Sequence, residues 1–183
     1  MLAKIIWAIR AIFYKLTFKK YGFYSYIGKP AFICGRSNIV IGSKVRIFPG
    51  IRLECHQEGT ITIQDDVSIA QNVHITAGFA DLSIGSGTVI LANSCITNIT
   101  HSINDLSVPP SVRPMTYGKT TIGRNCMIGF GAVVLAGVEL GDYCVVGANS
   151  VVRDSFPDYS VIAGVPAKIV IKSNFESKQW EKC

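Results

Sequence analysis

The chain has 183 residues, of which 49% are hydrophobic and 16% charged, and its formal net charge is +6. This length suits one domain with a sizeable core and leaves little room for a second. The basic excess has no nucleic-acid-binding motif beside it, so no nucleic-acid partner is expected.

The first 22 residues predict a separate amphipathic, basic helix. Its apolar residues follow the i, i+3, i+4, i+7 spacing, and they are Leu2, Ile5, Ile6, Ile9, Ile12, Phe13 and Leu16. Its cations are Lys4, Arg10, Lys15, Lys19 and Lys20, with no acid among the first twenty residues. Its uncharged run is too short to span a bilayer, and no secretory leader is expected.

Two interpretations of this helix stay open. It packs on its own protein or on a neighbouring subunit, or it lies on the inner face of the cytoplasmic membrane. In the second case Trp7, Phe13 and the lysines would contact anionic lipid. A cytoplasmic location is expected in both cases.

From residue 122 onward an aliphatic residue recurs at every sixth position, namely Ile122, Ile128, Val134, Leu140, Val146 and Val152. Small or thin residues lie four positions after the first five, namely Cys126, Ala132, Val138, Cys144 and Ser150. A period of six fits neither a helix nor an ordinary strand. It fits stacked coils with three flat faces, whose corners are expected to be eased by Gly123, Gly129, Gly141 and Gly147.

The same pattern extends backwards, so a β-helix domain is predicted over residues 23–172, with a tail at 173–183. Its longest break, about 102–119, contains Pro109, Pro110, Pro114 and Gly118. Proline cannot donate the amide hydrogen that a stacked strand needs, so this segment is predicted to be an external loop. Loops of this length in a compact repeat are more often functional than accidental.

The repeats, His101 before the proline-rich loop and the ending Ala163-Gly-Val-Pro-Ala-Lys168 resemble the hexapeptide-repeat acyltransferases. Within that family the proline-rich stretch and the tail are similar to bacterial polysaccharide O-acetyltransferases. The resemblance implies an all-β, left-handed parallel β-helix that forms a homotrimer. It also implies acetyl-CoA as co-substrate and a sugar hydroxyl of a surface polysaccharide or its precursor as acceptor.

Acetyl transfer to a hydroxyl needs a base, donors for the oxyanion and a groove for the acyl carrier. Histidine is the natural base near neutral pH, and the chain has His56, His74 and His101. His101 follows Gly85 by sixteen residues, a spacing that galactoside acetyltransferase-like members share, so the resemblance implies His101 as the general base. His74 is the second candidate, and His56 is expected on the surface.

The resemblance further implies that coenzyme A lies in a groove between two subunits. Gly129 and Phe130 would then lie near the thioester, Ala148 along the pantetheine arm, and Arg153 and Lys168 near the nucleotide. Small residues admit a thin chain and cations suit phosphates, although the corners of the coil need small residues in any case. Asp154 stands where the family has a lysine.

On the acceptor side, Ala70 replaces a family asparagine, so Gln71 or Asn72 could take its role together with His74. Direct transfer in a ternary complex is expected, with no acyl-enzyme, although Cys95 deserves a check for a neighbouring base. The cysteine spacing predicts reduced thiols and no metal site.

Three alternatives remain. The first is N-acetyl transfer to an amino sugar or small amine by the same base. The second is a zinc β-helix of the γ-carbonic anhydrase type, for which a close-set histidine pair is missing. The third is a structural β-helix with a decayed site.

Overall fold

The computed structural model describes residues 2–104, 107–174 and 179–182. One helix, α1 (Leu2–Thr17), precedes a solenoid of about six turns whose strands are parallel, the left-handed β-helix expected from the six-residue period. The helix ends before the boundary predicted at residue 22, because Lys20 and Tyr21 already pair with the next coil.

Each face of the solenoid is one parallel sheet, since a strand pairs with the strand one coil above and below it. The first face contains β1 (Lys20–Tyr21), β4 (Ile39–Ile41), β7 (Thr60–Ile63), β10 (Asp81–Ile84), β15 (Thr120–Ile122) and β18 (Glu139–Leu140).

The second face contains β2 (Tyr26–Ile27), β5 (Arg46–Ile47), β8 (Ser68–Ile69), β11 (Val89–Ile90), β16 (Met127–Ile128), β19 (Val145–Val146), β21 (Ser160–Gly164), β22 (Ala167–Asn174) and β23 (Gln179–Lys182). The last two strands run antiparallel to their neighbours, so the chain folds back at the end of the solenoid. Residues 175–178 and 183 of the predicted tail lie outside the described residues.

The third face contains β3 (Phe32–Cys34), β6 (Arg52–His56), β9 (His74–Gly78), β12 (Cys95–Thr97), β17 (Val133–Val134) and β20 (Val151–Val152). Between β12 and β15 the chain leaves the coil as an antiparallel ribbon of β13 (Ile99–His101) and β14 (Met115–Tyr117). A 3-10 turn at Pro110–Val112 lies in the segment between these two strands.

The repeat positions fill the interior of the coil as predicted. All six repeat aliphatics and all five small residues that follow them are buried. Full burial of one isoleucine or valine contributes about 1.5–3 kcal/mol, so stacking supplies the main stabilisation. Because each coil covers the apolar interior of its neighbour, the repeats stabilise one another.

The glycines after the repeat aliphatics do not have the role expected of them. The left-handed backbone lies three residues after the repeat aliphatics, with positive φ at Asn125, Gly131, Gly137, Tyr143 and Asn149. A Cβ on Gly129 would instead lie 2.6 Å from the backbone nitrogen of Ala148 in the next coil. The expectation of an eased corner is therefore wrong, and these glycines are needed for the close approach of stacked backbones.

Helix α1 packs on the solenoid through a face other than the predicted apolar stripe. Ala11, Tyr14 and Phe18 are buried, and the Trp7 ring lies 5.5 Å from that of Tyr26. The stripe faces outward, and its exposed members are Ile6, Ile9, Ile12, Phe13 and Leu16. Among its described side chains the helix thus has two apolar faces, one buried against the solenoid and the other exposed.

Candidate functional site

The ribbon that carries His101 is anchored by a buried asparagine at its base. The Asn98 side chain accepts a hydrogen bond from the Gly78 amide at 2.8 Å and donates one to the Ala80 carbonyl at 2.6 Å. The Gly118 amide closes the base by donating to the Asn98 carbonyl. The ribbon packs on the solenoid through Tyr117, whose ring lies at 4.9 Å from that of Phe79.

A cavity of about 520 Å³ lies between the third face and this ribbon. Polar side chains form its floor, namely His56, Gln57, His74, Thr76, Cys95 and Thr97. Apolar side chains of the ribbon form its wall, namely Ile99, Met115 and Tyr117. Such a combination of one apolar and one polar side is typical of sites for small polar ligands.

His101 lies on the cavity side of the ribbon. Residues two apart on a strand share a side, and directly paired residues of adjacent strands do too. His101 is two residues from Ile99 and pairs with Met115, and both of these residues line the cavity. The imidazole is exposed and, unlike Ile99 and Met115, does not itself line the cavity.

A second, smaller cleft of about 180 Å³ is lined by Ile99 and Thr100 of the ribbon together with Leu135, Ala136 and Arg153. Ile99 contributes to both clefts. The ribbon therefore separates the large cavity from a cleft on the C-terminal coils, where the donor residues were predicted.

The predicted donor residues lie on these C-terminal coils. Gly129 is buried against the next coil, whereas Phe130 and Ala148 are exposed at corners. Arg153 and Lys168 converge on Asp154, with Lys168 Nζ at 3.3 Å and Arg153 Nε at 3.8 Å from its Oδ2. Two cations therefore meet around one exposed carboxylate.

Among the predicted acceptor residues, His74 lines the cavity, whereas Gln71 and Asn72 lie at the corner before β9 and outside the lining. His56, expected on the surface, is half-exposed and also contributes to the floor. Cys95 lies in the floor as well, and burial raises the pKa of its thiol. Cys95 pairs with His74 of β9, so a histidine is its neighbour across the coils, and transfer without an acyl-enzyme stays a prediction.

Glu54 joins the histidines of the floor. Its Oε1 lies 2.7 Å from Arg52 Nε and 3.0 Å from His74 Nε2, and its Oε2 lies 3.2 Å from His56 Nε2. Burial opposes ionisation of Glu54, yet the hydrogen bonds from Arg52 and His56 and the charges of Arg52 and His74 hold its pKa below the ordinary value. Glu54 is therefore a carboxylate under the cavity floor.

Within the described part of the chain, one cluster has the composition of a metal site. The ligand atoms of Cys34, Glu54 and His56 all lie within 4.8 Å of one another. The Arg52 guanidinium already neutralises this carboxylate, and a second cation beside it would be repelled. The geometry favours an ion-paired network over a metal centre.

Glu54 and Asn98 are the site residues that the sequence analysis missed. Each acts on a residue twenty positions away, on an adjacent coil. The regular part of the repeat pairs residues eighteen apart, as Val133 pairs with Val151. A search at the regular interval would have joined Asn98 to Ala80, eighteen residues away, but not Glu54 to His74 or Asn98 to Gly78.

Comparisons with known proteins agree with the fold. The family description "Bacterial transferase hexapeptide (six repeats)" matches residues 119–154. WbbJ of Escherichia coli K12, named as a lipopolysaccharide biosynthesis O-acetyl transferase, is 37% identical over 84% of this chain and 81% of its own length. The dTDP-4-amino-4,6-dideoxy-D-glucose acyltransferase of E. coli is 32% identical over 84% of this chain and 82% of its own.

A solved structure of a galactoside acetyltransferase in complex with coenzyme A has a TM-score of 0.63 and 25% identity, and the match covers 92% of this chain and 72% of that one. The repeats, the solenoid and these relatives lead to one conclusion. The chain belongs to the hexapeptide-repeat family of bacterial transferases, and it is an acyltransferase.

Proposed function

We propose that the protein transfers an acetyl group from acetyl-CoA to a sugar hydroxyl of a bacterial surface polysaccharide or its precursor. The observation that carries the proposal is the position of His101, on the cavity side of a ribbon with a cleft on either side. This arrangement suits a base between an acceptor in the larger cavity and an acyl donor on the C-terminal coils. WbbJ, which is named for O-acetyl transfer, supports the choice of a hydroxyl acceptor.

In this proposal His101 accepts the proton of the sugar hydroxyl as its oxygen attacks the thioester carbonyl. A backbone amide near Gly129 stabilises the oxyanion, and the protonated His101 returns a proton to the departing thiolate. Bringing both substrates together in a ternary complex supplies much of the acceleration.

Acetyl-CoA is proposed to lie along the C-terminal coils. Gly129 and Phe130 would contact the thioester end, Ala148 the pantetheine arm, and Arg153 and Lys168 the phosphates. Support comes from the exposure of the last four residues and from the coenzyme A bound to the galactoside acetyltransferase.

The decisive experiment measures free thiol released from acetyl-CoA in the presence of a saccharide panel. His101→Ala is expected to lose about 10²–10⁴-fold in kcat, the usual contribution of a positioned base. Val112→Ala is the matched control, because Val112 lies in the segment between the two ribbon strands, is 66% exposed and lines neither cleft. Unchanged turnover in His101→Ala would reject His101 as the general base.

The second candidate is N-acetyl transfer, because the sugar-nucleotide acyltransferase of E. coli acts on an amino sugar by its name. Amine acceptors in the same thiol assay separate the two functions. Turnover with amino sugars and none with hydroxyl acceptors would establish the second candidate.

The active unit is proposed to be a homotrimer, in which a neighbouring subunit completes the donor groove. Light scattering combined with activity across a dilution series tests this. Specific activity should fall as the trimer dissociates, and a fully active monomer would contradict the proposal.

The outward face of α1 is proposed to contact anionic lipid on the inner side of the cytoplasmic membrane. Its apolar side chains include Phe13 and Leu16, which are 67% and 85% exposed, and Lys15 and Lys19 are exposed beside them. The first twenty residues contain no acid, so the charge suits an anionic surface. No helix in the described ranges is long and apolar enough to cross a membrane.

Vesicle co-sedimentation tests this contact. The protein should pellet with vesicles that contain phosphatidylglycerol, not with pure phosphatidylcholine, and salt should weaken the binding. Phe13→Glu should abolish it, whereas Val170→Glu, an exposed apolar position on the last strands, should not. A trimer that pellets with neither vesicle would reject the membrane contact.

A further inference from the structure

The cavity floor contains a carboxylate–imidazole pair that is distinct from His101. His74 Nε2 lies 3.0 Å from Glu54 Oε1 and 2.7 Å from the hydroxyl oxygen of Thr76. Only 13% of the Glu54 side chain is exposed, compared with 40% of that of His74. The carboxylate is therefore mostly withdrawn from solvent, whereas the imidazole faces the cavity.

Glu54 determines which nitrogen of His74 carries the hydrogen. An ionised carboxylate only accepts hydrogen bonds, so the hydrogen of a neutral His74 lies on Nε2, the nitrogen that faces Glu54. The lone pair is then on Nδ1, which has no hydrogen-bond partner among the described residues. A free imidazole exchanges its hydrogen between both nitrogens, so the carboxylate selects one acceptor orientation.

Arg52 fixes the carboxylate in turn. Its guanidinium bonds Glu54 Oε1 at 2.7 Å and lies over the Phe32 ring, 5.2 Å from the centroid. A cation beside Glu54 favours the ionised form at neutral pH. The chain of contacts Arg52–Glu54–His74 therefore ends in an oriented hydrogen-bond acceptor at the cavity floor.

We propose that His74 Nδ1 accepts a hydrogen bond from a second hydroxyl of the saccharide acceptor, and that Glu54 is the positioning residue for His74. One hydroxyl then meets His101 on the wall while a neighbouring hydroxyl meets His74 on the floor. The inference rests on the proposed transfer to a sugar and adds how the ring is held. The apolar wall suits the C–H face of a sugar ring, and the polar floor suits its hydroxyl edge.

This arrangement also predicts which saccharide acceptors the site favours. A ring unit whose second hydroxyl is absent or inverted leaves Nδ1 without a donor, and a desolvated acceptor left unpaired costs binding free energy. The favoured ligand is thus a sugar with two neighbouring free hydroxyls, and its deoxy analogue at the second hydroxyl binds more weakly.

The kinetic test is a double-mutant cycle with His74→Ala, Glu54→Gln and both together, at saturating acetyl-CoA. Each single variant should raise the saccharide KM about tenfold, the equivalent of one hydrogen bond, with the KM for acetyl-CoA unchanged. The saccharide KM of the double variant should be no higher than that of the more affected single variant, because Glu54 acts through His74. Additive losses, or a KM within twofold of wild type in His74→Ala, would overturn the proposal.

Asp66→Asn is the matched control. It also converts a carboxylate paired with an arginine into an amide, at a distance of 2.7 Å from Arg46 on the second face. Its saccharide KM should equal that of the wild type. A similar rise in this variant would show that the Glu54→Gln effect reflects general destabilisation and would overturn the positioning role.

A second measurement does not depend on activity. Nitrogen chemical shifts of ¹⁵N-histidine-labelled protein identify the protonated nitrogen, and the His74 signals are those lost in His74→Ala. Protonation at Nε2, lost or mixed in Glu54→Gln, is the expected result, and protonation at Nδ1 would overturn the proposal. Failure of the proposed function is seen separately: the wild-type protein would then release no thiol with any saccharide of the panel.

Discussion

Removal of the Asn98 side chain should destabilise the fold at the point where the ribbon of β13 and β14 leaves the coil. Asn98 is fully buried, and its amide satisfies the Gly78 N–H and the Ala80 carbonyl. In Asn98→Ala the buried N–H loses its acceptor at a cost of about 1–3 kcal/mol, and the part-buried carbonyl adds about 1 kcal/mol. The expected loss in free energy of unfolding is therefore about 2–4 kcal/mol.

The same substitution should lower activity, because β13 begins at the next residue and carries His101. The Gly118 amide bonds the Asn98 main chain, so the ribbon remains attached while its base becomes less rigid. We expect a lower kcat with little change in the KM for acetyl-CoA.

Urea unfolding followed by circular dichroism measures the stability, at one protein concentration for all variants because association contributes. Asn38→Ala is the matched control, since its amide is exposed and donates only to the Gln57 carbonyl at 3.1 Å. That variant should lose less than about 0.5 kcal/mol. An Asn98→Ala loss of the same size would refute the account of the buried amide.

Three further predictions follow from the site. The pKa of Glu54 is lowered by folding, so its ionised form stabilises the protein above the ordinary pKa of 4.5, and this contribution is lost as pH falls through the lower folded pKa. The stability difference between wild type and Glu54→Gln, from thermal melts, should shrink over that acidic window. Asp154→Asn should lower the KM for acetyl-CoA about two- to fivefold at unchanged kcat, because a carboxylate leaves the phosphate side of Arg153 and Lys168. Gly78→Val should lower kcat by up to about 10²-fold, because a Cβ would lie 2.9 Å from the Tyr117 ring and displace the ribbon.

Asp66→Asn is again the control for both carboxylate substitutions and should leave the KM for acetyl-CoA unchanged. A stability difference at Glu54 that is constant from neutral to acidic pH would contradict the lowered pKa. An unchanged or higher KM for acetyl-CoA in Asp154→Asn would contradict the proposed position of the phosphates beside Arg153 and Lys168. Wild-type kcat in a correctly folded Gly78→Val would show that the ribbon need not pack against the solenoid.

Much of the solenoid follows from local sequence. The six-residue recurrence of aliphatic residues determined the coil, because a chain with that pattern buries its apolar side chains only by turning three corners per turn and stacking. The proline-rich break determined where the chain leaves the coil, because proline cannot donate to a neighbouring strand. The resemblance to galactoside acetyltransferase-like members, with its spacing of sixteen residues from Gly85, made His101 the candidate base, and this role stays a prediction.

Other features depended on which side chains meet across coils. Spacing showed that α1 is amphipathic, but the choice between its two apolar faces was made by packing, with Trp7 and Tyr14 against the solenoid and Phe13 outward. Glycine was expected to ease the corners by its backbone freedom, whereas the stacked backbones leave no room for a Cβ at Gly129.

The sequence by itself determined the fold class and the family, since both depend on a short, regular pattern, and through the resemblance it proposed His101 as the base. Only the tertiary structure decided which side chains meet in and around the cavity. Insertions lengthen the regular interval of eighteen residues to twenty-two between β6 and β9 and to twenty-one between β9 and β12. In that altered register Glu54 meets His74, and Asn98 meets Gly78, twenty residues away. Contacts between coils depend on the register of the whole stack, and no local pattern specifies it once a coil changes length.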